Sequence, residues 1–119
     1  MYRQIAMHDY ELAFNTGTQV AALIHLLADE DVIHVERHDL MDILRNYGRK
    51  PPKDKYCDML LWRTRKVLKP HGIEILAVTS GQGRVLYMTD EMKKRVRVFV
   101  TRVCTQTWSK SDETHTVAA

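Results

Sequence analysis

The densest chemistry in this chain is cationic. Residues 49–69 hold eight Lys/Arg against two Asp, a net of +6. At helical spacing, Met59, Trp62, Arg63 and Lys66 share one side of that segment, with Arg65 and Lys69 at its margins. A helix exposing cations in that pattern offers donors at groove depth to a polyanion such as duplex DNA. Other chemistries have little to work with. The chain carries no Walker-type phosphate loop, no Ser/His/Asp spacing and no paired carboxylates beside a strand end, so no enzyme is expected. The six histidines (8, 25, 34, 38, 71 and 115) lack metal-ligand spacing, and Cys57 and Cys104 stand far apart outside any Cys/His cluster. The expectation is no metal, no cofactor and no small-molecule substrate, with both thiols reduced and structural. His25 reads as a partly buried structural residue.

Charge is distributed unevenly. Residues 1–48 carry three Arg against eight acids, whereas residues 84–110 carry seven Lys/Arg against two. An acidic half followed by two basic segments reads either as solvated helix faces or as a one-sided footprint for a polyanion. At 119 residues the chain has the length of one domain. No apolar run approaches the roughly 18 residues of a membrane span, and no basic-then-apolar leader opens the sequence. A cytoplasmic, nucleoid-associated protein is expected, with no membrane partner.

The elements that must position these cations follow in order. Residues 1–14 mix two periodicities, through Ile5, Met7, Tyr10, Leu12 and Phe14, and read as an extension with short strands or a short helix. The cap-rich residues Asn15 to Thr18 precede a helix over 19–28. Val32 to Val35, rich in β-branched residues, predict an extended link beside a later hairpin. Helical spacing resumes over 36–46, with Leu40, Ile43 and Leu44 facing inward. The loop 48–53 contains two prolines, and Asp54 is placed to cap the basic helix over 54–69. That helix should bury Cys57, Leu61, Thr64 and Leu68. Pro70 and Gly72 stop it, and apolar runs at 73–78 and 85–88 flank a glycine-bearing turn, the signature of a hairpin. Thr89 caps a final helix over 90–108, whose stripe is Met92, Val96, Phe99, Val100 and Val103. Its other side, Lys93, Lys94, Arg95, Arg97 and Arg102, reads as a solvated face available for added phosphate contacts. This helix either packs on the body or meets a second copy, and 109–119 reads as a flexible tail.

A second helix, a connection, a third helix bearing cations and then a hairpin is helix-turn-helix logic with a wing. The expected class is α+β: a winged helix-turn-helix over 15–89, with a three-helix core, a C-terminal β-hairpin wing and an extra C-terminal helix.

Over about residues 16–88 the chain resembles the OmpR/PhoB-type winged-helix effector domain of bacterial response regulators, in a short stand-alone form like those of bacteria and their phages. The residues that carry the resemblance are Arg63, Arg65, Lys66 and Leu68 together with Gly81 and Gly83. It implies a DNA-binding transcription regulator, with the third helix in the major groove, the wing (73–88) at the adjacent minor groove, and the loop before the third helix in reach of RNA polymerase. By position, Met59, Trp62, Arg63 and Lys66 would meet base edges or nearby phosphates, and Arg49, Lys50 and Lys53 would lie in that loop. Four positions depart from the pattern. Ser80 replaces a cation before the first wing glycine, and Arg84 replaces an aromatic after the second. Thr64 stands where the family prefers a core leucine, and Trp62 where it often has a polar residue.

The residues themselves assign Arg63 to guanine readout and Lys53, Lys55 and Lys69 to phosphates; what the resemblance implies for Arg84 is the minor-groove cation missing at Ser80. Trp62 reads either as half-buried at a helix junction or as part of a protein interface. The competing reading is a module that binds RNA polymerase or another regulator with little DNA contact, using Arg49, Lys50, Trp62 and Phe99. On the DNA reading a homodimer or tandem binding is expected, since a single module discriminates weakly.

Overall fold

The computed structural model describes residues 5–48, 51–80 and 83–118, the side chains at 80 and 106–118 aside. Five α-helices and one two-stranded antiparallel sheet make up the described residues: α1 (Met7–Phe14), α2 (Thr18–Ala28), α3 (Arg37–Tyr47), α4 (Asp54–Leu68), β1 (Leu76–Ser80), β2 (Gly83–Tyr87) and α5 (Asp90–Ala118). The α+β expectation is borne out at that level.

Residues 7–14 are helical, not extended. The Ala6 N–H donates to the Asp9 carboxylate at 2.8 Å, and the Asp9 N–H donates back to the Ala6 carbonyl at 3.0 Å, closing the first turn. Tyr10 and Phe14, one turn apart, are both buried, which the alternating apolar letters conceal. Asn15 then ends α1 in the left-handed conformation (φ 49°), a region asparagine tolerates. Gly17, with no side-chain cap, opens α2.

The core is the set of faces these helices turn inward: Leu23, Ile24 and Leu27 of α2, Leu40, Ile43 and Leu44 of α3, and Cys57, Leu60, Leu61 and Leu68 of α4. Val35 lies in an extended link and exchanges two backbone hydrogen bonds with Leu86 of β2, at 2.7 and 2.8 Å. The link therefore lies beside the hairpin and joins it at this one bridge, as its β-branched composition predicts. Within the hairpin the register pairs Leu76 with Tyr87 and Thr79 with Arg84. Strand pairing starts at Leu76, later than the apolar run suggests. Ile73 and Ile75 instead bury their side chains beneath the sheet entry. The turn residues Gly81 and Gln82 lie outside the described residues.

Helix α5 is capped by Thr89, whose hydroxyl accepts from the Met92 N–H at 3.2 Å. It packs on the body through Val96, Val100 and Cys104, and contacts α1 and α2. It continues to Ala118, beyond the expected boundary at 108 and through the segment read as a tail. No Gly or Pro occurs from Asp90 onward to interrupt it. A second correction concerns its basic side. Lys93 is buried, and its ammonium donates to the carbonyls of Leu27, Asp29 and Val32 at 2.9, 2.5 and 2.6 Å. Arg97 is half-buried, donating to the Ala28 carbonyl and pairing with Glu30 at 2.8 Å. At 3.6 residues per turn, positions 93, 97, 100 and 104 form one stripe. Two of the expected solvent cations thus close the C-terminus of α2, where unpaired carbonyls and the helix dipole attract positive charge.

Burial has a measurable consequence at Tyr10. Desolvation pushes its phenol up to about 12, with Arg97 opposing. The folded state therefore holds this proton more tightly than the unfolded chain does. Its stabilising contribution is complete below the ordinary tyrosine value of about 10 and is lost as pH rises from there to about 12. Urea titrations between pH 9 and 12 should show a decline in stability that Tyr10→Phe reduces. An unchanged slope in the variant would place the alkaline sensitivity elsewhere.

Candidate nucleic-acid interface

Helix α4 is held against α2 and α3 by the stripe expected of it: Cys57, Leu61, Thr64 and Leu68 are buried, with Leu60 beside them. Thr64, where a leucine would fill the core, keeps its hydroxyl satisfied by donating to the Leu60 carbonyl at 2.7 Å. Burial raises the Cys57 thiol above its ordinary value, as suits a structural cysteine.

The N-terminus of α4 is anchored differently from the sequence reading. Asp54 is the first residue of the helix and not its cap, which is Lys53, and no side chain closes that end. The Asp54 carboxylate instead accepts from Arg37 Nε at 3.1 Å, and a second Arg37 nitrogen donates to the Asp54 carbonyl at 3.0 Å. Asp58 lies 3.6 Å from the same guanidinium. An arginine fork with two partners on α4 outcompetes a local cap and ties the start of α3 to the start of α4. At the other end of α3, Gly48 passes so close that a Cβ there would lie 2.4 Å from the Leu44 carbonyl, so the connection to α4 needs glycine.

The opposite face of α4 is open. Met59 is 44% and Trp62 62% exposed, and Arg63 and Lys66 are exposed between and beyond them. Trp62 is thus not half-buried at a junction: its neighbours on α4 point outward, and its ring carries the Lys66 ammonium 4.9 Å from its centre. Two hollows flank Arg63. One is an apolar cleft floored by Leu44, Leu60, Pro51, Pro52 and Tyr56, with Met59 on its rim. The other lies between Trp62, Lys66 and the start of α2 at Gly17 and Gln19. Gln19 and Tyr47 border this surface and are bonded to each other, the Gln19 amide donating to the Tyr47 carbonyl at 3.4 Å. Neither residue stands out in the sequence, because they meet Arg63 only through tertiary packing.

The remaining sequence-predicted residues fall at three places. Lys53 and Lys55 are exposed at the start of α4, Lys55 with its ammonium 5.2 Å from the Tyr56 ring centre. Lys69 is exposed beyond its end, in a short 3-10 turn, Lys69–His71, closed by Gly72 at φ 68°. Arg84 is exposed on β2, one residue from the turn. Arg65 is withdrawn from this group: half-buried, it donates to the Ile75 carbonyl at 3.3 Å and so joins α4 to the sheet entry. Phe99 is half-buried and packs against Phe14 and His71, with ring centres 4.9 and 4.2 Å apart. Arg49 and Lys50 lie outside the described residues.

No family model, no curated protein and no solved structure matches this chain. The site must be judged on its own residues. Among the described residues no group of three or more His, Cys, Asp or Glu is placed to hold a metal ion. His38 instead bridges Glu36 and Asp39 at 3.1 and 3.3 Å, at the start of α3. Among the described residues no helix is long and apolar enough to cross a membrane.

Proposed function

We propose that this chain is a winged-helix, sequence-specific double-stranded DNA-binding regulator of transcription. Helix α4 lies in the major groove and the β1–β2 hairpin reaches toward the adjacent minor groove. The observation that carries the reading is the open face of α4. Arg63 and Lys66 are solvent-exposed on the side opposite the buried stripe, with neither α5 nor any other described element over them. The element order supports it, since a bridging link at Val35, two helices and a hairpin are what such a module requires. In this arrangement Arg63 reads a guanine, while Lys53, Lys55, Lys66 and Lys69 meet phosphates. Arg84 enters the minor groove. The loop that leads into α4 touches RNA polymerase. Two copies, as a dimer or in tandem, would lengthen the site read.

The exposed Trp62 and Met59 favour a second reading, a module that docks RNA polymerase or another regulator through an apolar patch. Salt separates the two. With about five phosphates neutralised, affinity for duplex should fall about 500-fold between 50 and 200 mM salt. Selection of bound duplexes from a random pool, followed by titration across that range, tests the proposal. A flat salt response with no enriched sequence would leave the docking module in its place.

A further inference from the structure

Two large apolar side chains stand in water on the face that also carries the cations. Met59 lies one turn before Arg63, and Trp62 lies immediately before it. Each exposes apolar surface that a purely phosphate-binding face does not need. Within a major groove the base-pair edges offer one apolar group large enough to fill a side-chain contact, the C5-methyl of thymine, set among hydrogen-bond donors and acceptors. The cations around these side chains argue for a polyanionic occupant. Residues 49–69 are net +6, and Lys66 holds its ammonium over the Trp62 ring, so a partner covering Trp62 also meets positive charge.

Resting on the duplex reading above, we infer that Met59 and Trp62 are specificity-determining residues that recognise thymine methyl groups at base pairs next to the one read by Arg63. The three residues rise along α4 by about 1.5 Å each, so 59 and 62 are separated by about 4.5 Å along the axis. That is little more than one base step of about 3.4 Å. The site preferred by this face is therefore a guanine with a thymine within a step or two of it. Met59 suits the role through its flexible thioether, which can follow a methyl group among the side chains at the rim of the cleft. Trp62 suits it through an indole edge left exposed while Lys66 occupies a ring face.

The test uses the full chain and the duplexes it selects. Each thymine of the enriched site is replaced singly by deoxyuridine, which removes only the methyl group. Affinity should fall about fourfold at one or two positions beside the guanine, the effect of losing one buried methyl. The Met59→Gln chain should be indifferent to deoxyuridine at one of those positions and Trp62→Gln at the other, while both still prefer the guanine. Selective, salt-dependent binding with deoxyuridine tolerated everywhere would overturn this inference and leave the duplex reading intact. Sensitivity to deoxyuridine that persists unchanged in both variants would overturn it too, by assigning the methyl contacts to other residues. Failure to bind any duplex would remove both readings together.

Discussion

Exchange of Lys93 for methionine is expected to lower the stability of the folded chain by about 3 kcal/mol, and its Tm by about 10 to 15 °C. The stem is retained in the variant, so the loss isolates the ammonium. In the native chain that group donates to three carbonyls, of Leu27, Asp29 and Val32, where α2 ends and the extended link begins. Its burial is unfavourable by itself: desolvation pulls the Lys93 pKa below the ordinary lysine value, with Asp29 and Asp90 opposing. The three charge-assisted bonds offset that penalty. Removing them leaves the buried Leu27 carbonyl and the part-buried Asp29 and Val32 carbonyls without this donor, each costing about 1 kcal/mol. Lys94→Met, one position along and exposed, should change stability by no more than about 0.5 kcal/mol. Thermal melts of the two variants beside the parent decide the matter. Should Lys93→Met melt with the parent or above it, apolar packing and not the ammonium closes this corner, as happens when some buried ions are replaced by hydrophobic residues.

Lys93 also marks where sequence reading stops. Three partners lie 61 to 66 residues away and are backbone atoms, so no pattern of letters distinguishes this lysine from the solvated cations around it. The same limit applies to Asp54, a good cap by local rules, because the competing Arg37 arrives from another helix. Features set by local periodicity were legible. The buried stripe of α4 follows from spacing alone, and the Val32 to Val35 link from its β-branched residues. Helix α1 was not legible, since Ile5, Met7, Leu12 and Phe14 satisfy an alternating pattern as well as a helical one, and the deciding Asp9 contact to Ala6 is a capping detail. At the candidate site, the exposure of Arg63 and Lys66 followed from the stripe opposite them. The hollows on either side of Arg63 did not, because Gln19, Tyr47 and Pro51 come from three other parts of the chain.

The exposure of Arg63 leads to the largest expected effect on binding. A guanidinium in the major groove can donate two parallel hydrogen bonds to guanine O6 and N7, a pairing that contributes about 1 to 3 kcal/mol of discrimination. Arg63→Ala should therefore reduce the preference for the selected site over a duplex with that base pair changed by about 5- to 150-fold, with two copies per operator multiplying the loss. Folding should be untouched, because Arg63 has no partner in the buried stripe. Lys53→Ala provides the contrast. A cation at the N-terminus of α4 acts on a phosphate, so its removal should weaken selected and unrelated duplexes alike, by a few-fold, and make the salt dependence shallower by about one unit of slope. Competition binding with matched and mismatched duplexes, at two salt concentrations, reads both quantities from one set of titrations. If Arg63→Ala weakens every duplex equally, Arg63 is a phosphate contact, and base readout belongs to another part of the α4 face. If it leaves binding unchanged, α4 is not the helix in the groove.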